Sequence, residues 1–327
     1  MTASHAIRYH QVGPPGVLQW ELLPVPRPGP TDVLIRHTAI GVNMKEVGER
    51  QGAYPSPPLP AVPGIEAVGI VEETGAEVRH LHRGQRVCYA TMPTGSYCEY
   101  RVLPADRAVP APDGLPDDVI AAVLHKGMTV RYLVRKTYPV RRGDTILVHA
   151  AAGGTGLLLC QWAKALGATV IGTVGSEEKA VAARAAGCDF PIVYTREDFL
   201  PRVMEITSGA GVPVVYDSVG ADTFTRSVDC LLPLGTMVLY GIASGHPPPL
   251  ELMKQDIWRS CFFTRPSFFA HTRTREDLLA SAYDLFAMLA SGALTPTIHS
   301  RYPLRDAAIA HAVMESRRTI GSVILIP

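Results

Sequence analysis

The residues in this chain best suited to chemistry are glycines. In GDTILVHAAAGGTGLLLCQWAKALGATVIGTVG, from Gly143 to Gly175, an apolar strand ends at Ala151. A loop then carries Gly153, Gly154 and Gly156 around Thr155, and a helix begins directly after it. Glycine fits because a side chain would keep the backbone away from a ligand, while a helix start aims free N–H groups and partial positive charge outward. The chemistry is anion binding. The spacing departs from GxGxxG, and a tight turn alone would favour similar residues. The strand before, the helix after and the length of the βαβ unit point to a dinucleotide pyrophosphate.

The second strand, TVIGTVG, ends at Gly175, where an NAD enzyme normally places an acid to hold the ribose hydroxyls. Ser176 and Lys179 follow and offer a hydroxyl and a cation suited to a 2′-phosphate, which a carboxylate would repel. NADPH is therefore expected rather than NADH. The same residues also suit a helix start, with Ser176 as N-cap, Glu177 and Glu178 as first-turn acids and Lys179 as a solvated residue. Both readings can hold together.

The elements that must position this turn are an alternation of strand and helix from Thr129 onward: TVRYLVRK, TILVHAA, TGLLLCQWAKALG, TVIGTVG, SEEKAVAARAAG, VVYDSVG and TMVLYGI. Such alternation specifies a parallel, doubly wound sheet of Rossmann type. The first third is different: short apolar runs such as DVLIRHTAIGV and IEAVGIVEE, bounded by PGP and PSPPLPAVPG, read as a mostly β domain. After Phe263 come a helical EDLLASAYDLFAMLASG and the closing TIHSRYPL and SVILIP. That tail is expected to fold back on the N-terminal part. The expected division is 1–126 for the catalytic domain, 127–262 for the NADPH-binding domain and 263–327 for the returning segment.

At 327 residues, two domains are the natural expectation. A net charge of +1, with no basic stripe interleaved with aromatics, gives no field for nucleic acid or an anionic membrane. The N-terminus lacks an apolar signal core and no stretch of about 18 apolar residues occurs, so cytoplasm is the expected compartment and no membrane partner is implied. The six cysteines form no CxxC pair, which argues against a disulfide framework or zinc knuckle.

GDTILVHAAAGGTGLLLCQWAK, IGVNMKEVGERQGAYP, PGIEAVGIVEETG, YDSVG, FTRPS and SRRTIGSVILIP together resemble the zeta-crystallin-like quinone oxidoreductases of the medium-chain dehydrogenase/reductase superfamily, along essentially the whole chain. The likeness is greatest to the bacterial NADPH:quinone reductases. It implies a GroES-like catalytic domain beside the cofactor domain, and a homodimer formed through sheet edges. It also places Asn43, Tyr54, Lys126 and Thr129 at the nicotinamide end, and Gly154 and Thr155, beside Gly153 and Gly156, at the pyrophosphate. Gly175, Ser176, Lys179, Tyr194 and Arg317 fall around the 2′-phosphate. Ser218, Tyr240, Gly241, Ser244, Phe263, Thr264 and Arg265 complete the groove. Taken singly, several have plainer uses: Asn43 closing a turn, Tyr54 packing a proline-rich loop, Tyr194 as a strand aromatic, Arg317 as a surface cation. Just after Asn43, MKEVG replaces the family's usual acid and tyrosine. That departure puts Glu46 and Gly48 in doubt as equivalents, and loss of the aromatic is expected to open the substrate cleft.

Zinc alcohol dehydrogenases, distant members of the superfamily, take metal ligands from this N-terminal region. Here the histidine place is Ile65 and the cysteine place Met44, so no metal is expected. Without a Lewis acid, oxidation of simple alcohols is disfavoured, whereas a quinone or activated alkene accepts hydride readily once held in a near-attack arrangement. Asn43, Tyr54 and Arg265 are the candidates for orienting the acceptor oxygen, and no side chain is assigned as general acid. The leading expectation is an NADPH:quinone oxidoreductase and the nearest alternative an NADPH-dependent enone or alkenal reductase. A non-catalytic nucleotide-binding protein, crystallin-like or RNA-associated, is the alternative of another class.

Overall fold

The computed structural model describes residues 3–251 and 259–327, and the contrast in apolar patterning along the chain becomes separate sheets. Two compact units result: one from residues up to Met128 with Thr272–Phe286 and Pro296–Pro327, the other from Thr129–His271 with Ala287–Thr295.

The first unit begins with an antiparallel pair, β1 (Ala3–Arg8) and β2 (Gln19–Pro24). There follow β3 (Asp32–Val42), α1 (Met44–Gln51), β4 (Glu66–Thr74), β5 (Arg86–Ala90), β6 (Tyr100–Pro104), β7 (Val109–Pro110) and the start of α2 (Asp117–Tyr132). β3 is the hub: it pairs antiparallel with β4 and β6 and buries Val33, Ile35, Ile40 and Val42 in one core with Val71, Val87 and Leu103.

The second unit is built as β8 (Thr145–Val148), α3 (Gly154–Ala165), β9 (Thr169–Val174), α4 (Glu177–Ala185), β10 (Phe190–Val193), α5 (Phe199–Ile206), β11 (Val212–Asp217), α6 (Phe224–Asp229), β12 (Leu231–Leu239), β13 (Phe262–Thr264) and α7 (Phe268–His271). Its six strands lie in the order β10-β9-β8-β11-β12-β13, and every pairing is parallel. A sheet covered on both faces has no polar side, which is why TILV and TVIGTV are buried almost throughout instead of alternating. Truncating fully buried Leu147 to alanine would cost about 2–5 kcal/mol.

The chain then runs through α8 (Arg275–Ala290), β14 (Ile298–Pro303), α9 (Ala307–Glu315) and β15 (Ser322–Ile326). β15 pairs antiparallel with β3 through Val323, Ile324 and Leu325, extending the first unit's sheet at one side. No helix among the described residues is long and apolar enough to cross a membrane.

Candidate active site

Parallel pairing puts the carboxyl ends of β8 to β13 on one edge of the second unit's sheet. The chain order reverses between β8 and β11, and that switch point is where an α/β sheet leaves a crevice. The loop after β8 enters it. Ala150 takes a left-handed φ of 53° and turns the chain, Gly153 stands at the helix N-cap without a side chain, and α3 starts at Gly154. The first intrahelical bond of the turn is from Leu157 N to Gly153 O at 2.9 Å, so the amides of Gly154, Thr155 and Gly156 precede the helix ladder. A Cβ on Gly156 would lie 2.2 Å from the Ala150 carbonyl oxygen and 2.8 Å from the Ala151 backbone. Only glycine permits this wrap, which gathers three outward amides at a helix start and suits a diphosphate.

Gly175 directly follows β9, and Tyr194 directly follows β10. A Cβ at Gly175 would come 2.9 Å from the Tyr194 hydroxyl, so the two sequence-predicted residues are neighbours. Ser176 caps α4 by accepting from Lys179 N at 3.3 Å, as the plainer of its two readings expects. Lys179 is nevertheless partly buried, and desolvation lowers its pKa below the usual lysine range. A desolvated cation beside a strand end that lacks an acid suits an additional anionic group.

Asp217 closes β11 fully buried, accepting from Val219 N at 2.7 Å, Gly220 N at 3.1 Å and the Thr223 hydroxyl at 2.8 Å. It thereby shapes the loop that carries Ser218. Tyr240 N donates to Asp217 O at 2.8 Å, Ala243 N to Ser218 O at 3.1 Å and Ser244 N to Val219 O at 2.8 Å. The loops with Ser218, Tyr240, Gly241 and Ser244 thus run side by side. Phe263 and Thr264 lie on β13 opposite Met237 and Val238, and Arg265 leaves that strand at the same edge. Asp217 was not singled out from sequence, although an aspartate followed by S-V-G is a recognisable Asx-type turn. His149, beside the glycine turn, is buried with Nδ1 2.8 Å from Thr173 Oγ1 and Nε2 2.8 Å from Ser227 Oγ, so both ring nitrogens are engaged within the fold.

The first unit holds Asn43, Tyr54, Lys126 and Arg317, and Thr129 falls in the second, one helical turn beyond Lys126 on α2. Arg317 follows α9 with φ 58°. Asn43 precedes α1 and anchors a buried polar cluster. Its Nδ2 donates to Glu66 Oε1 at 2.8 Å and to Glu46 Oε1 at 3.4 Å, and its backbone N to Glu46 Oε2 at 2.9 Å. Ile65 N donates to Glu46 Oε1 at 3.2 Å and His125 N to Glu66 Oε2 at 2.7 Å. Lys126 Nζ donates to Val42 O at 3.2 Å and stands 3.8 Å from Glu66 Oε1. Burial raises the Glu46 carboxyl to about 7 and moves Glu66 in the same direction.

Two positions in α1 gain local contacts that the sequence reading did not assign. Glu46, in doubt as an equivalent of the family's acid, accepts hydrogen bonds from Asn43 and Ile65 within this cluster; the N-x-x-E capping pattern Asn43–Glu46 was the signal available. Beside Gly48 the space next to the backbone is taken by Tyr54. An edge of the Tyr54 ring abuts that glycine, with Cδ2 2.3 Å from where a Cβ would stand. Glu66 was also missed, although it directly follows Ile65. Among the described residues, no group of three or more His, Cys, Asp or Glu is arranged to hold a metal ion.

Residues 154–286 match the family described as zinc-binding dehydrogenase, and residues 29–113 match the alcohol dehydrogenase GroES-like domain. The chain is 44% identical to the quinone oxidoreductase of Pseudomonas aeruginosa over 98% of its own length and 99% of the relative's. It is 43% identical to the 2-haloacrylate reductase of a Burkholderia species, covering 97% of each chain. The crystal structure of Escherichia coli quinone oxidoreductase complexed with NADPH superposes with a TM-score of 0.96 at 43% identity, over 99% of this chain and 100% of that one. Glycine turn, doubly wound sheet and GroES-like unit agree with these likenesses, and the chain belongs to the quinone oxidoreductase family of the medium-chain dehydrogenase/reductase superfamily.

Proposed function

We propose that this protein is an NADPH-dependent oxidoreductase that reduces a quinone by hydride transfer without a metal. The observation that carries the reading is the turn closed by Gly156 at the sheet's switch point, where backbone amides replace side chains. The residues fit the dinucleotide: Gly153, Gly154, Thr155 and Gly156 would hold the pyrophosphate, and Gly175, Ser176, Lys179 and Tyr194, with Arg317, the 2′-phosphate. Ser218, Tyr240, Gly241, Ser244, Phe263, Thr264 and Arg265 would line the groove, with Asn43, Lys126 and Thr129 at the nicotinamide. When bound, NADPH supplies the hydride.

The chain's own residues then hold and orient. Asn43, its amide fixed on two carboxylates, together with Tyr54 and Arg265, would position the acceptor oxygen, so that catalysis rests mainly on proximity. We assign the residues up to Met128, with Thr272–Phe286 and Pro296–Pro327, to the acceptor side, and Thr129–His271 with Ala287–Thr295 to NADPH, because a boundary at 262/263 would divide β13. We also assign a cytoplasmic homodimer, formed through the β13 edge, where Phe262 is 59% exposed.

A second reading, reduction of an activated alkene, is favoured by the 2-haloacrylate reductase relative, whose identity nearly equals that of the quinone oxidoreductases. Steady-state rates with a naphthoquinone and with an α,β-unsaturated acid or aldehyde separate the two. Rapid quinone turnover supports the first, and negligible quinone turnover with rapid alkene reduction overturns it.

A further inference from the structure

Gly48 sits in the interior of α1, where glycine is the least favourable residue short of proline. It is absent from the residues with positive φ, so backbone freedom does not explain it. Space does. Gly52 takes φ 81°, and Gly52 N donates to Glu49 O at 3.1 Å while Ala53 N donates to Gly48 O at 2.8 Å, a Schellman reversal that turns the chain back on the helix. Tyr54 N donates to the same Gly48 carbonyl at 3.1 Å, and Ser56 Oγ donates to Glu49 O at 2.7 Å. The reversal brings one edge of the Tyr54 ring against Gly48, its Cδ2 2.3 Å and Cε2 2.6 Å from the position of an added Cβ. Any side chain at residue 48 would lift that ring.

We propose that Gly48 is a specificity-determining position: by having no side chain it seats the Tyr54 ring against α1, and that seat sets which acceptors fit in front of the ring. Gly48 acts through Tyr54 and is a positioning residue. The proposal deepens the reading of Tyr54 as an acceptor-facing residue and rests on it. Asn43 is the N-cap of α1, so the anchored first turn and the reversal that seats the ring flank one short helix; on this proposal a ring displaced from Gly48 would narrow the acceptor space for bulky quinones before small ones.

The test uses the full chain and four proteins: wild type, Gly48→Ala, Tyr54→Ala and the double variant. NADPH affinity is read by fluorescence titration, and kcat and KM by turnover of 1,4-benzoquinone and a naphthoquinone. Gly48→Ala is expected to leave the NADPH dissociation constant within about twofold while raising the naphthoquinone KM about tenfold relative to that for benzoquinone, the scale on which a pocket discriminates by one small group. In the Tyr54→Ala background the same change is expected to alter neither KM by more than about twofold, because the ring it displaces is gone.

Equal effects in both backgrounds, or no change in the KM ratio of Gly48→Ala, overturn the proposal. If Gly48→Ala fails to fold, the double variant decides: folding with the kinetics of Tyr54→Ala supports the clash, and failure to fold rejects it. If wild type binds NADPH and turns over quinone but the cycle is additive, only this inference falls. If wild type neither binds nor turns over, the functional reading falls first.

Discussion

Gly156→Ala separates the turn's chemistry from its stability. The added methyl would stand 2.2 Å from the Ala150 carbonyl oxygen, and ordinary contact begins near 3.4 Å, so the turn must open by roughly 1 Å. The atoms in the way are backbone, and no side-chain rotation relieves them. Opening the turn redirects the amides of Gly154, Thr155 and Gly156. Loss of one hydrogen bond to a charged phosphate is worth about 1.5–3 kcal/mol, or about 10- to 150-fold in dissociation constant. The clash costs about 1–3 kcal/mol of stability, and alanine's better helix propensity returns about 1 kcal/mol, so the variant is expected to fold. Fluorescence titration with NADPH is the assay, with circular dichroism to verify folding. Gly16→Ala is the control, since nothing lies within 4 Å of its Cβ position. A folded Gly156→Ala protein with wild-type NADPH affinity would refute the backbone cradle.

Lys179→Ala is expected to weaken NADPH about tenfold or more while changing NADH affinity little, because on the proposed reading the lost cation would face the additional phosphate; equal weakening in parallel titrations would remove Lys179 from the site. Glu46→Gln tests the buried cluster. With a folded pKa raised from 4.5 to about 7, the native protein holds a proton that the unfolded chain has released, so this group makes stability fall as pH rises through that window, by up to about 3 kcal/mol. Urea unfolding at about pH 5 and about pH 8 should show Glu46→Gln gaining on wild type at the higher pH, and a pH-independent difference would refute it. Buried His37 and His311 and half-buried His125, each lowered to about 3 chiefly by desolvation, act with the opposite sign: stability is lost as pH falls below about 6.5. Acid unfolding monitored by circular dichroism should therefore steepen below that point, and a flat profile would contradict their neutral burial.

The glycine turn was legible because one short segment contains everything that defines it: the apolar strand, the side-chain-free loop and the helix. The end of β9 before Gly175 and the helix start capped by Ser176 were legible for the same reason, as was the alternation that specifies the doubly wound sheet. What escaped reading depends on contacts between distant or reversed segments. Glu66 meets Asn43 only because β4 pairs with β3, across 23 positions of sequence. The contact of Tyr54 with Gly48 depends on the reversal at Gly52 bringing Tyr54 back against the helix. The pairing of β15 with β3 is likewise non-local, joining Val323 to Val42.

The central claim is tested most directly by following oxidation of NADPH, with NADH in parallel, by the purified full chain in the presence of a naphthoquinone. The account predicts saturable quinone-dependent oxidation with a clear preference for NADPH. Failure to bind or oxidise either nucleotide, in protein shown to be folded, would contradict it.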